Sequence, residues 1–362
     1  MSNTSRSFHL IATLLLAGAA TLHAQMNNPQ GPMITPRPGG VFMRPGLAGQ
    51  NNAANNAANA ATPAERPPLP KRIGFKLPQA MGPQGTNDAD FAKLIVREGM
   101  VRISAGKNEG ENPDEDLGPY ALQIREPFHM DRTEVTWKQW KEIREWAMAR
   151  TDLSENSREF FKYEFAHTGA GKADDHPVQR VSWYDCIKWC NARSEKEGLT
   201  PCYTVGGAVF RKGDGLPDCN FSASGYRLPT VQEWEFAARG GLVGNRFPWG
   251  DTIAHTNANY FSTNQSEYDT SETRGLSPTW KTGETPYTSP VASFPPNGYG
   301  LYDMAGNVCE WCWAAKGSSR FICGGSWDAD AAGLRCGAHS VSDGPSDRGD
   351  YCGFRTVRRA GQ

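Results

Sequence analysis

Residues 300–311 read Gly300-Leu-Tyr-Asp-Met-Ala-Gly-Asn-Val-Cys-Glu-Trp311. Three shorter phrases have the same character: Gly225-Tyr-Arg-Leu-Pro-Thr230, Gly324-Gly-Ser-Trp327 and Gly353-Phe-Arg355. Each phrase combines glycine, aromatic residues and single charged residues, which ordinary helices and strands do not need in that combination. The four phrases therefore mark the part of the chain that specifies a particular architecture.

Length and composition limit what this chain can be. Its 362 residues suffice for one large domain or two small ones. The formal net charge of -1 gives no reason to expect a nucleic acid or an anionic membrane surface as a partner. With 39 glycines, 25 prolines and 11 tryptophans, the composition favours a loop-rich body with aromatic packing over a helical bundle.

The first 24 residues have the features of a secretory signal peptide. Arg6 gives the segment a basic start, an apolar stretch runs from Leu10 to Leu22, and Ala24 offers a small residue before a cut at Gln25. A buried helix or a membrane anchor is the alternative, but the stretch is too short to span a bilayer comfortably. We expect the chain to be exported to the periplasm, the cell surface or the medium, with no membrane span.

Residues 25–92 are predicted to form a disordered linker rich in Asn, Ala, Pro and Gly. Residues 51–61 consist of asparagine and alanine alone. Such a stretch has too little apolar surface to offset the entropy that is lost on ordering. The folded domain is expected over residues 93–360.

Three helices are predicted in this domain, each beginning after a Ser or Thr that can cap it. The caps are Thr136, Ser182 and Thr230, and apolar residues follow each of them at helical spacing. The third helix is expected to end at Gly240. Residues 241–294 are expected to be mostly loop, and the remainder alternates short strands and turns.

Taken in order, the four phrases resemble the sulfatase-modifying-factor family, whose best-known members are the formylglycine-generating enzymes. The resemblance covers about residues 98–359. It implies a compact, loop-rich α+β domain with few helices and short strands, related to C-type lectin domains. Arg355, at the end of the last phrase, is expected to pair with a buried carboxylate and hold the last strand.

The cysteines that make the family's enzymes oxidases are absent from their expected positions. Formylglycine-generating enzymes use a cysteine pair to hold copper and activate oxygen against a substrate cysteine, and soft thiolates suit Cu(I). The resemblance places that pair two and seven residues beyond Trp327, where this chain has Ala329 and Leu334. Neither side chain binds copper, so we expect neither bound copper nor oxidation by the family mechanism.

Members of the family bind calcium at the segment quoted first. Carried over, the ligands are Asp303, the carbonyls of Gly306 and Val308, and Glu310. Calcium takes about six to eight oxygens from carboxylates and carbonyls, and the Gly-Asn turn bends the backbone so that carbonyls can point inward. The alternative is that the two carboxylates only hold the turn through backbone N–H groups.

A second family calcium site uses an asparagine, the next carbonyl and a later acidic residue. Asn259 and the carbonyl of Tyr260 match its first half. Glu284 lies near the expected place of the acidic residue, although the loop length differs. Either ion would be structural, because no open coordination position is implied.

The nine cysteines are expected to be mostly paired in an oxidising compartment, with at least one left over. Cys309 and Cys323 stand where relatives carry tryptophan and arginine, which suggests a disulfide between them. Cys309 and Cys312 lie three apart on a predicted strand, so they face opposite sides and should not pair with each other. A relocated copper site at Cys309, Cys323 and Cys336, or free thiols, are the alternatives. The predicted pairs are Cys202–Cys219, Cys312–Cys336, Cys309–Cys323 and Cys190–Cys352, with Cys186 unpaired.

These observations favour a binding or accessory module. The expected ligand site is the groove at Ser326, Trp327 and Asp328, with Cys309 and Cys336 beside it, where the enzyme holds its peptide. Trp327 offers stacking area and Asp328 a hydrogen-bond acceptor, which suits a peptide, protein or glycan. Two enzymes are the alternatives: a formylglycine-generating oxidase of sulfatase cysteines that uses displaced sulfur, and a cysteine-independent periplasmic tailoring enzyme that depends on Ser326 or Asp328.

Overall fold

The computed structural model of the chain describes residues 99–342 and 344–361. The chain divides into two units, Met1–Val41 and Phe42–Gln362, and the first lies wholly outside the described residues. The predicted signal peptide, the linker over residues 25–92 and the domain boundary at residue 93 also lie outside them and stay predictions.

Four α-helices, one 3-10 helix and fifteen short strands make up the regular structure of the described residues. The helices are α1 (Trp137–Ala149), α2 (Glu155–Phe161), α3 (Trp183–Lys196), α4 (Val231–Ala238) and the 3-10 helix (Ala331–Leu334). The strands are β1 (Met100–Ile103), β2 (Gly106–Glu111), β3 (Pro119–Ile124), β4 (Phe128–Asp131), β5 (Tyr203–Val205), β6 (Ala208–Val209), β7 (Asp218–Cys219), β8 (Tyr226–Arg227), β9 (Phe261–Ser262), β10 (Gly275–Leu276), β11 (Cys309–Lys316), β12 (Ser319–Cys323), β13 (His339–Val341), β14 (Cys352–Gly353) and β15 (Val357–Arg359). Few helices and many short strands confirm the predicted α+β class.

The two largest sheets in the described residues each have four strands. The first has the order β1-β4-β15-β8 and is antiparallel. The second has the order β13-β12-β11-β14, and in it β14 runs parallel to β11. Smaller sheets pair β2 with β3, β9 with β10, and β5 with both β6 and β7. Strand β11 is therefore an interior strand, and it begins within the segment that the sequence marks as a calcium loop, at Cys309.

The three predicted helix starts are confirmed. Thr136 and Thr230 each form a capping box, with Gln139 and Glu233 respectively, and the hydroxyl of Ser182 accepts a backbone N–H in the first turn of α3. Helix α2 has no counterpart in the prediction, because none of its residues is buried and its sequence shows no apolar face. Every helix in the described residues falls short of the length and apolar character that a bilayer-crossing segment needs.

Buried side chains in the described residues form three hydrophobic clusters. The first packs α1 against α3, where Trp140 stacks on Trp189 with ring centroids 6.2 Å apart. The second surrounds Trp234 of α4. The third draws on residues 241–294, where β9 and β10 are the only strands and the prediction of mostly loop is confirmed. Residues 301–312 contribute to all three clusters, so the packing of the domain converges on this segment.

Candidate functional site

The loop over residues 303–308 bends through three left-handed backbone positions. Asp303, Gly306 and Asn307 have φ values of 54°, 82° and 66°. A Cβ on Gly306 would lie 2.4 Å from the carbonyl oxygen of Asn259, so glycine alone allows this approach. The N–H of Asn307 donates to the same carbonyl at 2.8 Å. The glycine and asparagine in the quoted phrase therefore bring this loop into close contact with the segment around Asn259.

Arg355 and Glu310 form a buried ion pair beside this loop. Arg355 Nε lies 2.9 and 2.8 Å from the two carboxylate oxygens of Glu310, and Nη2 lies 2.8 Å from one of them. Both side chains are at most 1% exposed. The guanidinium also donates to the carbonyls of Asp131, Tyr302 and Asp303. The prediction that Arg355 pairs with a buried carboxylate is confirmed, and the pair joins the end of β4, the loop and β11.

Two further carboxylates, those of Glu134 and Asp303, are buried next to this pair. Asp303 Oδ2 accepts the N–H of Ala292 at 2.6 Å, but its Oδ1 is buried without a donor and the side chain faces Glu134. Burial raises the pKa of Asp303 to about 6. Burial, followed by the charges of Asp303 and Glu310, raises the pKa of Glu134 well above its usual range. Three buried carboxylates thus face one guanidinium, and a cation or bound protons must balance the excess negative charge.

The oxygen atoms of this loop around Asp303 are of the kind that bind a hard cation. A buried carboxylate oxygen without a donor is a group that calcium binds, and the carbonyls of Gly306 and Val308 belong to the same turn. Glu310 differs from its predicted role, because the guanidinium already binds both of its oxygens. Glu134 is a buried carboxylate that the sequence prediction missed. No three His, Cys, Asp or Glu side chains in the described residues are grouped as a metal site, so backbone carbonyls are needed to complete the coordination.

At the second predicted calcium site, Tyr260 contacts His255 and Asp269 rather than the predicted Glu284. Asn259 and Tyr260 are buried, whereas Glu284 is exposed. The carbonyl of Tyr260 lies 3.2 Å from Nε2 of His255. The hydroxyl of Tyr260 donates to Asp269 at 2.6 Å. Asp269, rather than Glu284, is thus the acidic residue packed against Tyr260, and it holds its loop through hydrogen bonds.

The two positions where the resemblance predicts the oxidase cysteines have different environments. Leu334 is fully buried in the third cluster, where a Cβ on Gly325 would lie 2.5 Å from Leu334 Cδ1. Ala329 is partly exposed, and its carbonyl accepts the N–H of Phe261 at 2.9 Å. Position 334 therefore holds a buried aliphatic side chain that packs against Gly325, and position 329 holds a methyl group at the edge of the same cluster.

Ser326, Trp327 and Asp328 form a hydrogen-bonded corner. Ser326 is buried, and its Oγ donates to Asp328 Oδ1 at 2.6 Å. Trp327 is 6% exposed, its Nε1 donates to the carbonyl of Asp350, and its ring lies perpendicular to that of Tyr287 at 5.5 Å. Neighbouring residues therefore cover the stacking area expected of Trp327, and of the three predicted groove residues only Asp328 is partly exposed.

All nine cysteines are free thiols in the structure, and eight of them are buried. Cys309 and Cys336, which were expected beside the groove, lie in different hydrophobic clusters. Cys309 is in the first cluster and Cys336 is in the second. Cys312 also lies in the second cluster, so Cys309 and Cys312 face opposite sides of β11. The geometry thus places Cys309 opposite Cys352 rather than beside its predicted partner Cys323, because strand side chains alternate between faces.

Within the first cluster, Cys190 interacts electrostatically with Cys202 and Cys219, and Cys352 does so with Cys309 and Cys186. Cys186 and Cys190 lie one helical turn apart on α3 and also interact with each other. The predicted pairs Cys190–Cys352 and Cys202–Cys219 stay predictions.

A polar pocket of about 550 Å³ is lined in part by Arg335, the residue that follows Leu334. Arg335 lies 3.0 Å from Asp114 and 2.7 Å from Asp116, and Arg246 lies 2.9 Å from Asp114. These ion pairs hold the walls of the pocket, whose charged lining suits a hydrophilic ligand. The charged lining residues are Asp114, Asp116, Arg246, Asp251, Glu267 and Arg335.

The fold and these sites define a protein of the formylglycine-generating-enzyme class. The family model described as FGE-sulfatase, the sulfatase-modifying factor enzyme 1-like domain, matches residues 88–360. The chain therefore belongs to this family, and the membership predicted from its four phrases is confirmed.

Two curated relatives and one solved structure show how the chain compares with members of the family. The formylglycine-generating enzyme of Thermomonospora curvata is 32% identical over 238 residues, which are 61% of this chain and 73% of that protein. The protein named inactive C-alpha-formylglycine-generating enzyme 2 from Mus musculus is 38% identical over 281 residues, 73% of this chain and 86% of that protein. The crystal structure of CarF matches with a TM-score of 0.53 at 29% identity, covering 72% of this chain and 98% of CarF.

The buried ion pair makes a prediction about stability. Arg355→Met leaves the carboxylate of Glu310 buried without its partner, so we expect a loss of about 3–5 kcal/mol in the free energy of unfolding, measured by urea denaturation. Arg359→Met is the matched control, because Arg359 pairs with Glu126 at the surface and its loss should cost less than about 1 kcal/mol. Adding Glu310→Gln to Arg355→Met should restore part of the stability. An equal, small effect of both single substitutions would contradict this account.

Proposed function

We propose that this chain is an exported, non-oxidising member of its family that binds a peptide, protein or glycan and holds calcium as a structural ion. Membership of the family supplies the scaffold on which the proposal is built. The resemblance predicts the copper-binding cysteines at positions 329 and 334, where this chain has Ala329 and Leu334, which supports a role without oxidation. The mouse relative is named an inactive enzyme, so a member without the activity has a precedent in the family.

The burial of sulfur is the observation that carries this proposal. Copper-dependent oxidation needs a pair of thiolates that copper and substrate can reach. Eight of the nine thiols are buried, and Cys219 is only partly exposed. Burial raises the pKa of Cys336, the cysteine next in sequence after Leu334, to about 12. This cysteine therefore holds its proton inside a hydrophobic cluster, which disfavours it as a copper ligand.

The proposed ligand surface is the polar pocket beside Arg335. This residue directly follows Leu334, so the pocket lies next to a position where the resemblance predicts catalytic sulfur in the oxidases. Its ion-paired walls favour hydroxyl, amide or charged groups over apolar ones. A polar peptide segment or a glycan meets this requirement.

A turnover assay tests the absence of oxidase activity. The purified full chain is incubated with copper and a peptide containing Cys-x-Pro-x-Arg, and the peptide mass is followed. We expect no conversion of cysteine to the aldehyde, because no accessible thiolate pair is present to hold copper. The Thermomonospora curvata enzyme, assayed in parallel, serves as the positive control.

Conversion of the peptide by the wild-type chain would contradict the proposal. In that case, loss of activity in Cys336→Ser would identify displaced sulfur as the copper ligand. Unchanged activity in Cys336→Ser would point instead to chemistry that does not depend on this cysteine.

The calcium part of the proposal rests on charge balance at the loop over residues 303–308. Asp303 Oδ1 lacks a donor, and the buried carboxylates of Asp303 and Glu134 face each other. A calcium ion held by Asp303 and the carbonyls of Gly306 and Val308 would let both carboxylates ionise. The ion would thereby stiffen the turn that leads into β11.

Calcium should accordingly stabilise the folded chain. At a concentration one hundred times its Kd, a ligand of the folded state adds about 2.7 kcal/mol, so the Tm should rise by several degrees on addition of calcium and fall again with a chelator. Asp303→Asn should abolish most of this shift, whereas Glu284→Gln, which changes an exposed carboxylate, should keep it. A wild-type Tm that does not respond to calcium would exclude the site.

A further inference from the structure

Strand β11 has a cysteine facing a second cysteine on each of its two sides. On one side, the Sγ atoms of Cys312 and Cys323 lie 3.6 Å apart, between β11 and β12. A disulfide requires the two sulfurs to approach to about 2.05 Å. The remaining difference is of the size that side-chain rotation covers, and both residues are already fully packed in the second cluster.

On the other side, Cys309 of β11 lies directly opposite Cys352 of β14. Neighbouring strands are roughly 4.8 Å apart, which is inside the about 4.4–6.8 Å between Cα atoms that disulfides span. The two thiols interact directly with each other in the first cluster. Both requirements for a bridge, backbone spacing and facing side chains, are therefore met.

The two contacts are independent of each other, because Cys309 and Cys312 point to opposite faces of the strand. Glu310, which binds Arg355, lies between them in the sequence. We propose that this chain carries two disulfides, Cys312–Cys323 and Cys309–Cys352, which bind β11 covalently to both of its neighbours. The bridges hold the strand that presents Glu310 in place.

Each bridge forms by thiol–disulfide exchange. Two S–H bonds break and one S–S bond forms, while the two electrons and two protons pass to a disulfide of glutathione or of a protein oxidant, which becomes two thiols. The hydrogen bond with Cys312, together with burial, raises the pKa of Cys323 well above its usual range, and burial does the same for Cys352. Exchange also needs the oxidant to reach the sulfur, and all four cysteines are buried in the folded chain, so the bridges form before the core closes.

Peptide mapping without reduction tests the proposal, because the sequence separates all the relevant cysteines. The full chain is collected from an oxidising compartment, its free thiols are alkylated, and it is digested with trypsin and a glutamate-specific protease. Cleavage after Glu310 separates Cys309 from Cys312, and cleavage after Arg335 separates Cys323 from Cys336. Every candidate pair then gives a distinct linked mass.

We expect two linked products, each lighter by two hydrogens than the sum of its peptides. Residues 311–316 should be joined to residues 321–335, and residues 285–310 to residues 349–355. The absence of either link, or a link from Cys312 to residues 336–348, would overturn the proposal. The state of Cys202 and Cys219 does not affect the result.

Two variants test whether Cys312 is paired with Cys323. Cys323→Ser should release Cys312 to alkylation and leave the link between Cys309 and Cys352 unchanged. Cys336→Ser is the matched control, because Cys336 lies in the same hydrophobic cluster and should leave both links intact. Release of Cys312 in Cys336→Ser would contradict the proposed pairing.

Discussion

The buried contact between Arg355 and Glu310 is the constraint on which the rest of the domain depends. Glu310 lies on β11 of one four-stranded sheet, and Arg355 lies just before β15 of the other, so the pair couples the two sheets. Trp234 of α4 donates its indole N–H to the same carboxylate at 2.8 Å. Neither charge tolerates burial without the other. The sheets, the helix and the loop that leads into β11 are therefore held in one mutual arrangement.

The same contact decides the chemistry of the neighbouring loop. Because the guanidinium binds both oxygens of Glu310, it leaves the carboxylates of Glu134 and Asp303 to be neutralised in another way. A structural calcium ion fits this requirement and needs no catalytic role. At position 334, where the resemblance predicts oxidase sulfur, Leu334 fills the third hydrophobic cluster. In our proposal, the scaffold is used for binding rather than for oxidation.

The sequence predicts the features that depend on nearby residues. The cap at Thr230 and the Gly-Asn turn need only their own neighbours, and the charge of Arg355 inside an apolar phrase signals a buried partner. Features that depend on distant segments are not predictable in this way. Glu134 reaches the site because β4 pairs with β15, and Cys352 meets Cys309 because β14 runs parallel to β11. A single sequence shows neither pairing.

Anomalous diffraction from crystals of the full chain, grown with calcium and soaked with Cu(I), tests the central claim most directly. The account predicts calcium density beside Asp303 and no copper peak beside Ala329 and Leu334. A copper ion bound between two thiolates of the chain would contradict it.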